Sequence, residues 1–160
     1  MKGLLFLCVA NSARSQMAEG IARSLLPDGA PIFSAGSHPT QIRPEAIAVM
    51  REIGIDISAQ RSKSVAEIPL QTVDTVVTLC AEEVCPVVAG DVRRFHWGLP
   101  DPAATDGSLT DRLVAFRTTR DELHRRIGVF LASAEVSGSP PAQAAPLVDR
   151  SPDDDILKRH

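Results

Sequence analysis

The chain has 160 residues, of which 44% are hydrophobic and 23% charged, a composition that is typical of one globular domain and excludes a largely disordered chain. Its net charge of −3 excludes the broad basic surface of a nucleic-acid-binding protein, so we expect no nucleic-acid partner. The apolar runs are too short to span a membrane or, at the start of the chain, to form a secretory signal, so we expect a cytoplasmic protein without a membrane partner.

Apolar periodicity and Gly or Pro breaks predict seven elements along the chain. They are a strand at residues 3–7, a helix at 15–26, a strand at 32–36, a helix at 44–53, strands at 73–79 and 93–97, and a long helix at 110–134. The arginines of that last helix are expected to lie mostly on a solvated face, although Arg120 interrupts the apolar face. The order β-α-β-α-β-β-α predicts an α/β layer fold with a mostly parallel sheet and right-handed crossovers.

The composition changes from Ser137 onward to Ser, Gly, Pro, Ala and Asp. Such a segment is typical of a linker that leads into a mobile tail, because it offers too little apolar surface to pack. We therefore predict one domain at residues 1–136, followed by a Pro/Ala/Asp-rich tail at residues 137–160.

The loop after the first strand contains a candidate nucleophile, Cys8, with Arg14 six residues later. The spacing alone is weak, because short motifs match by chance. A strand that leads into a helix N-terminus adds free N–H groups and positive potential, which bind an anion and favour a thiolate. Arg14 can grip two oxygens, and Ser15 can donate to the sulfur. We predict a nucleophile rather than a packed cysteine, in an oxyanion loop of Val9, Ala10, Asn11, Ser12, Ala13, Arg14 and Ser15.

Asp101 is the best candidate for a general acid. It lies between Pro100 and Pro102, just beyond the predicted strand at residues 93–97. Ligands of open parallel sheets bind at the carboxyl ends of the strands, so this loop is expected near Cys8. An Asp between two prolines is more often only a turn former, but the nearby oxyanion loop favours the catalytic interpretation.

The other two cysteines distinguish between kinds of chemistry. Cys80 follows the strand predicted at residues 73–79, and Cys85 comes five residues later. Hydrolysis of a phosphate ester needs one nucleophile and water, whereas reduction of an oxyanion needs two electrons, which two thiols supply when they form a disulfide. A third thiol can then carry that disulfide to the surface. Packed, inert thiols remain the alternative; a zinc site is disfavoured because only His96 is near and the spacing fits no common finger, so we expect no metal there.

Five segments together resemble one family over about residues 3–134. They are Cys8-Val-Ala-Asn-Ser-Ala-Arg-Ser-Gln-Met-Ala-Glu19, Ser34-Ala-Gly36, Val77-Thr-Leu-Cys80 with Cys85-Pro86, His96-Trp-Gly-Leu-Pro-Asp-Pro-Ala103 and Phe116-Arg-Thr-Thr-Arg-Asp121. The combination resembles the thioredoxin-linked arsenate reductases built on the low-molecular-weight tyrosine phosphatase fold. The resemblance implies three layers, with a four-stranded parallel sheet and helices on both faces, and a monomer that serves arsenic detoxification.

The resemblance also implies a mechanism. Cys8 would attack arsenate held by the loop amides and Arg14, while Asp101 protonates the leaving hydroxyl. Cys80 would then attack Cys8 and release arsenite, Cys85 would take over Cys80, and thioredoxin would reduce the resulting Cys80–Cys85 disulfide.

Asn11 and Ser15 would shape the loop and hydrogen-bond the thiolate. Some relatives bind potassium at positions that correspond to Asn11 and Glu19, whereas Val65 stands here where an acidic ligand would help; a potassium ion near Asn11 and Glu19 is therefore an open expectation. The short spacing of the second and third cysteines also leaves open a smaller loop rearrangement, or glutaredoxin with glutathione as the donor.

Two other functions compete. A tyrosine phosphatase would use Cys8, Arg14 and Asp101 alike, but the chain has no Tyr, Ala103 and Ala104 follow the acid where aromatic walls are wanted, and the other two cysteines would be unexplained. A thiol or arsenic sensor would need neither acid nor anion site, and the chain has no recognisable DNA-binding helix pair. We therefore favour the reductase.

Overall fold

The computed structural model describes residues 1–26, 29–81 and 85–137, with side chains up to residue 133. Its strands are β1 (Leu4–Cys8), β2 (Ile32–Gly36), β3 (Thr75–Thr78) and β4 (Arg93–His96), and its helices are α1 (Arg14–Leu25), α2 (Pro44–Arg51) and α3 (Leu109–Ser137). All seven predicted elements are confirmed, with ends shifted by a few residues. The predicted tail lies outside the described residues, apart from Ser137.

The four strands form one sheet in the order β2-β1-β3-β4, and every neighbouring pair is parallel. Cys8 pairs with Gly36 at the end of β2, and Leu7 pairs with Thr78 at the end of β3. All strands therefore end at one edge of the sheet. In parallel α/β sheets this edge is the usual place for a ligand site.

The sheet is covered on both faces, as the predicted fold class requires. The α-helices pack on one face, and short 3₁₀ helices pack on the other. Alternate residues of β1 point to opposite faces: Leu4 and Phe6 join a core built with all three α-helices, whereas Leu5 and Leu7 join a second core. Short 3₁₀ helices at Val65–Glu67 and Leu70–Thr72 supply Val65 and Leu70 to that second core. Since each buried aliphatic side chain contributes roughly 1.5–3 kcal/mol, both faces hold β1 in place.

Arg120 is the exception to the solvated arginine face expected on α3, because it interrupts the apolar face of that helix. The residue is 8% exposed, and its Nη1 donates to the carbonyl oxygen of Val49 at 2.8 Å and to Oε1 of Glu52 at 2.8 Å. Arg117 forms three further hydrogen bonds with the same carboxylate, from Nε at 2.9 and 3.1 Å and from Nη2 at 2.7 Å. These arginines satisfy acceptors at the C-terminal end of α2 and fasten it to α3.

Among the residues that the structure describes, no helix is both long and apolar enough to cross a bilayer, and this includes α3 with its 29 residues.

Candidate active site

The predicted oxyanion loop connects β1 to α1 at the ligand edge of the sheet. Cys8 is the last residue of β1 and is 2% exposed, and Arg14 is the first residue of α1. Ala13, at the N-cap position, has no side chain that could cap the helix, so the first N–H groups of α1 can face an anion. The loop encloses a cavity of about 190 Å³, which is lined by Cys8, Val9, Ala10, Ser12, Ala13, Arg14 and Asp101.

The sulfur of Cys8 lies 2.8 Å from the hydroxyl oxygen of Ser15. That oxygen also accepts a hydrogen bond from Nδ2 of Asn11 at 2.7 Å. Because Ser15 already accepts from Asn11, its own proton can point to the sulfur. The arrangement gives a Cys8 thiolate a hydrogen-bond donor inside the protein.

Asn11 is the residue on which the loop conformation depends. Its φ is 47°, a left-handed conformation that asparagine tolerates better than most residues. Its side-chain oxygen accepts from the backbone N–H of Lys63 at 2.9 Å and from Gln16 at 2.8 Å, while its Nδ2 also donates to Ser34 at 3.0 Å. Every polar atom of the buried amide is therefore satisfied, which fixes its orientation.

Gly36 allows the loop to approach the end of β2. A Cβ on this residue would lie 2.3 Å from the carbonyl oxygen of Val9 and 2.9 Å from the backbone nitrogen of Asn11. Both neighbours are backbone atoms and cannot turn away as a side chain could. Glycine is thus required here by contact, and not by an unusual φ.

Arg14 is 4% exposed and connects three segments of the site. Its Nη1 donates to the carbonyl oxygen of Leu99 at 2.9 Å and lies 3.4 Å from that of Leu79, and its Nη2 is 3.9 Å from Oδ2 of Asp101. The guanidinium is held by backbone at the ends of β3 and β4, at the wall of the cavity. It is therefore positioned in advance for an anion.

Asp101 has a structural and a site-facing oxygen. Oδ1 accepts from the backbone N–H of Ala103 at 3.0 Å and caps the 3₁₀ helix Pro102–Ala104. Oδ2 is the oxygen directed to Arg14, and the side chain is 37% exposed. The turn-forming and the catalytic interpretations of this residue are thus compatible.

Cys80 and Cys85 form a disulfide with a Cα–Cα distance of 5.6 Å, and Cys8 remains a free thiol. Cys80 is 1% exposed, whereas Cys85 is partly exposed. The backbone N–H of Leu79 donates to the carbonyl oxygen of Leu7 at 2.8 Å. Cys8 directly follows Leu7, and Cys80 directly follows Leu79, so each cysteine comes one residue after a member of this hydrogen-bonded pair.

The surroundings of Glu19 do not fit the potassium ion that the resemblance suggested. Its Oε1 accepts from Ser34 at 2.7 Å and lies 3.6 Å from Nζ of Lys63, and its Oε2 pairs with Arg23 at 3.2 Å. Burial lowers the pKa of Lys63, and the Glu19 carboxylate opposes that shift. Val65, the position noted in the sequence, packs into the second core instead. Within the described residues, no three His, Cys, Asp or Glu side chains are grouped as metal ligands.

Sequence reasoning assigned no role to several residues that hold the loop: Gln16, Ser34, Gly36, Ser62 and Lys63. Gly36 and Ser34 could have been found, because pairing the first two predicted strands in parallel places the end of the second beside Cys8. Ser62, whose hydroxyl donates to the carbonyl oxygen of Asn11 at 2.6 Å, lies in an irregular segment without any periodic signal.

Comparisons with known proteins agree with this geometry. The family model of the low molecular weight phosphotyrosine protein phosphatases matches residues 3–139. The chain is 44% identical over 131 residues to an arsenate reductase of Halalkalibacterium halodurans, covering 81% of this chain and 94% of the relative. A solved arsenate reductase in the phosphate binding state matches with a TM-score of 0.71 and 34% identity, covering 83% of this chain and 98% of that one. The solved structure of a thioredoxin-dependent arsenate reductase of Corynebacterium glutamicum matches with a TM-score of 0.57 and 25% identity, covering 81% of this chain and 63% of that one.

Proposed function

The chain belongs to the low molecular weight phosphotyrosine protein phosphatase family and is an arsenate reductase, and we propose that it passes electrons from thioredoxin to arsenate through three thiols. The observation that carries the proposal is the state of the cysteines. Cys8 is free in the oxyanion loop, while Cys80 and Cys85 are joined. This is the arrangement expected after one arsenate has been reduced and before the external donor arrives.

In the first step arsenate enters the cavity, where the loop N–H groups and Arg14 neutralise its charge. Cys8 attacks arsenic and forms a sulfur–arsenic bond, with Ser15 orienting the thiolate. The hydroxyl that leaves takes a proton from Asp101 and departs as water. Arsenic is still in its oxidised state after this step, because only ligands have been exchanged.

The second step transfers two electrons. The Cys80 thiolate attacks the sulfur of Cys8, the sulfur–arsenic bond breaks, and its electron pair stays on arsenic, which leaves as arsenite. Two thiols have then become the Cys8–Cys80 disulfide, so the electrons balance. Cys85 attacks the sulfur of Cys80, and Cys8 departs as a thiolate ready for the next arsenate.

The last step returns the enzyme to its reduced form. Cys85 is more exposed than Cys80, which supports attack by an external thiol at Cys85. We propose thioredoxin as the donor, as in the C. glutamicum relative, and a monomer that acts in the reducing cytoplasm, where it detoxifies arsenate. Glutaredoxin with glutathione is the other donor that the experiment must distinguish.

The decisive experiment measures arsenate-dependent NADPH oxidation with thioredoxin and thioredoxin reductase, and in parallel with glutaredoxin, glutathione and glutathione reductase. We expect continuous turnover in the first system alone. Turnover only with glutaredoxin would overturn the proposed donor, and none in either system would overturn the relay.

Serine variants test each thiol separately. Cys8→Ser should abolish all chemistry. Cys80→Ser and Cys85→Ser should stop repeated arsenate reduction but keep hydrolysis of p-nitrophenyl phosphate, which needs only Cys8, Arg14, Asp101 and water. Full reductase turnover by Cys80→Ser would contradict the relay.

A further inference from the structure

A carboxylate is buried directly beneath the oxyanion loop. Glu19 is 4% exposed, and its Oε1 accepts a hydrogen bond from Ser34 at 2.7 Å. Lys63 lies beside this carboxylate. Its side chain is only 15% exposed, and its Nζ is 3.6 Å from Oε1 of Glu19. The same ammonium donates to the carbonyl oxygen of Arg61 at 2.8 Å. The cation thus lies among carboxylate and carbonyl oxygens.

We propose that the Lys63 ammonium is the built-in monovalent cation of this site, so that the enzyme needs no potassium ion to hold its oxyanion loop. A buried carboxylate is costly unless positive charge compensates it. Arg23 pairs with Oε2 of Glu19 at 3.2 Å, and Lys63 supplies the positive charge beside Oε1, the oxygen that is linked through Ser34 to the loop. Carboxylate and carbonyl oxygens are ligands for hard cations and also accept hydrogen bonds from an ammonium group. Lys63 is part of the chain, so its positive charge is present without the binding of a free ion. The inference concerns how the loop is held and is independent of the electron donor.

The contacts of Lys63 lead to the nucleophile. Its backbone N–H donates to Oδ1 of Asn11 at 2.9 Å, and the hydroxyl of Ser34, which donates to the buried carboxylate, accepts from Nδ2 of Asn11 at 3.0 Å. Asn11 in turn donates to Ser15, which contacts Cys8. Lys63 is therefore a positioning residue: it acts on Cys8 through this chain of hydrogen bonds.

The test compares the melting temperature of the whole protein, without substrate, in potassium, sodium and choline chloride at equal ionic strength. The wild type should melt at the same temperature in all three salts. Lys63→Met, which removes the charge but keeps a long side chain, should melt about 5 °C or more lower in choline and sodium. Potassium should restore part of that loss in a saturable manner, as ligand binding to the folded state requires.

Arg61→Met is the matched control, because it removes a neighbouring positive charge of the same segment and leaves the ammonium on Glu19. It should show no response to potassium. The alkylation rate of Cys8 supplies a second readout: in Lys63→Met it should be slower in choline and recover in potassium, whereas a merely structural lysine would leave no ion-specific effect.

Two results would overturn the proposal. One is saturable stabilisation of the wild type by potassium over sodium and choline. The other is a Lys63→Met protein that melts like the wild type and ignores potassium. If Lys63→Met does not fold, the double variant Glu19→Gln with Lys63→Met is the substitute, because it removes the uncompensated carboxylate as well. We expect this double variant to fold and to show no response to potassium. A double variant that is no more stable than Lys63→Met contradicts the proposal. Since every melting curve is recorded without arsenate or donor, failure here is distinguishable from failure of the proposed relay.

Discussion

The two carboxylate oxygens of Asp101 have different roles: one stabilises the local fold and the other faces the active site. Oδ1 caps the 3₁₀ helix through the N–H of Ala103, which leaves Oδ2, near Arg14, for proton transfer. Asparagine offers the same capping oxygen but carries no acidic proton. The two roles of this residue can therefore be separated by the choice of substitution.

We predict that Asp101→Asn keeps the melting temperature of the wild type and lowers kcat for arsenate by about 10²–10⁴-fold, the usual contribution of a general acid. Asp101→Ala should lose the same activity and in addition about 1 kcal/mol of stability, because the cap is removed. Steady-state kinetics and thermal melts of both variants check this. Wild-type kcat in Asp101→Asn would show that another group donates the proton.

At the scale of elements, the site depends on how closely the β1–α1 loop approaches the end of β2. The hydrogen bonds of Asn11 hold the loop in place, and Gly36 provides the space. Because the obstacle that a larger residue would meet is backbone, strain at Gly36 would be transmitted to the cavity and not absorbed by a side chain.

We predict that Gly36→Ala costs about 1–3 kcal/mol of stability, as overpacking does, and weakens the binding of arsenate or phosphate by displacing the loop N–H groups. Gly128→Ala is the matched control: a Cβ there meets nothing within 4 Å, and alanine favours the interior of α3 by up to about 1 kcal/mol. Denaturant unfolding and phosphate titration measure both effects. A Gly36→Ala protein with unchanged phosphate affinity would show that the close contact is unimportant.

Local patterns explain what the sequence could predict. Each strand and helix has its own periodicity, so all seven elements were predicted, and the parallel order brought Cys8, Cys80 and Asp101 to one edge. Contacts between distant segments carry no such pattern. Lys63 lies in an irregular segment, and its place beside Glu19 follows from tertiary packing alone. The periodicity of α3 places Arg120 on the apolar face, which it interrupts, but it could not predict the acceptors that Arg120 finds on and just after α2.

At the scale of the whole molecule, the acid limit of stability should depend on the junction between α2 and α3. Glu52 at the end of α2 accepts hydrogen bonds from Arg117 and Arg120, and chiefly the bonds from Arg117 lower the pKa of this carboxyl from 4.5 to about 2. A carboxyl whose pKa is lowered by folding stabilises the folded protein fully at pH values above the pKa of that carboxyl in the unfolded state. That contribution is lost as the pH falls from about 4.5 through about 2.

We therefore predict that Glu52→Gln unfolds at lower denaturant concentration than the wild type at neutral pH, and that the difference shrinks steadily as the pH falls from 4.5 toward 2, where the wild-type carboxyl is also protonated. Asp106→Asn, at an exposed loop carboxylate before α3, is the control and should follow the wild type at each pH. Urea unfolding across this range measures both. A difference for Glu52→Gln that stays constant down to pH 2 would mean that the junction is held by packing and by the bond from Arg120 to Val49, and that the charge of Glu52 contributes nothing.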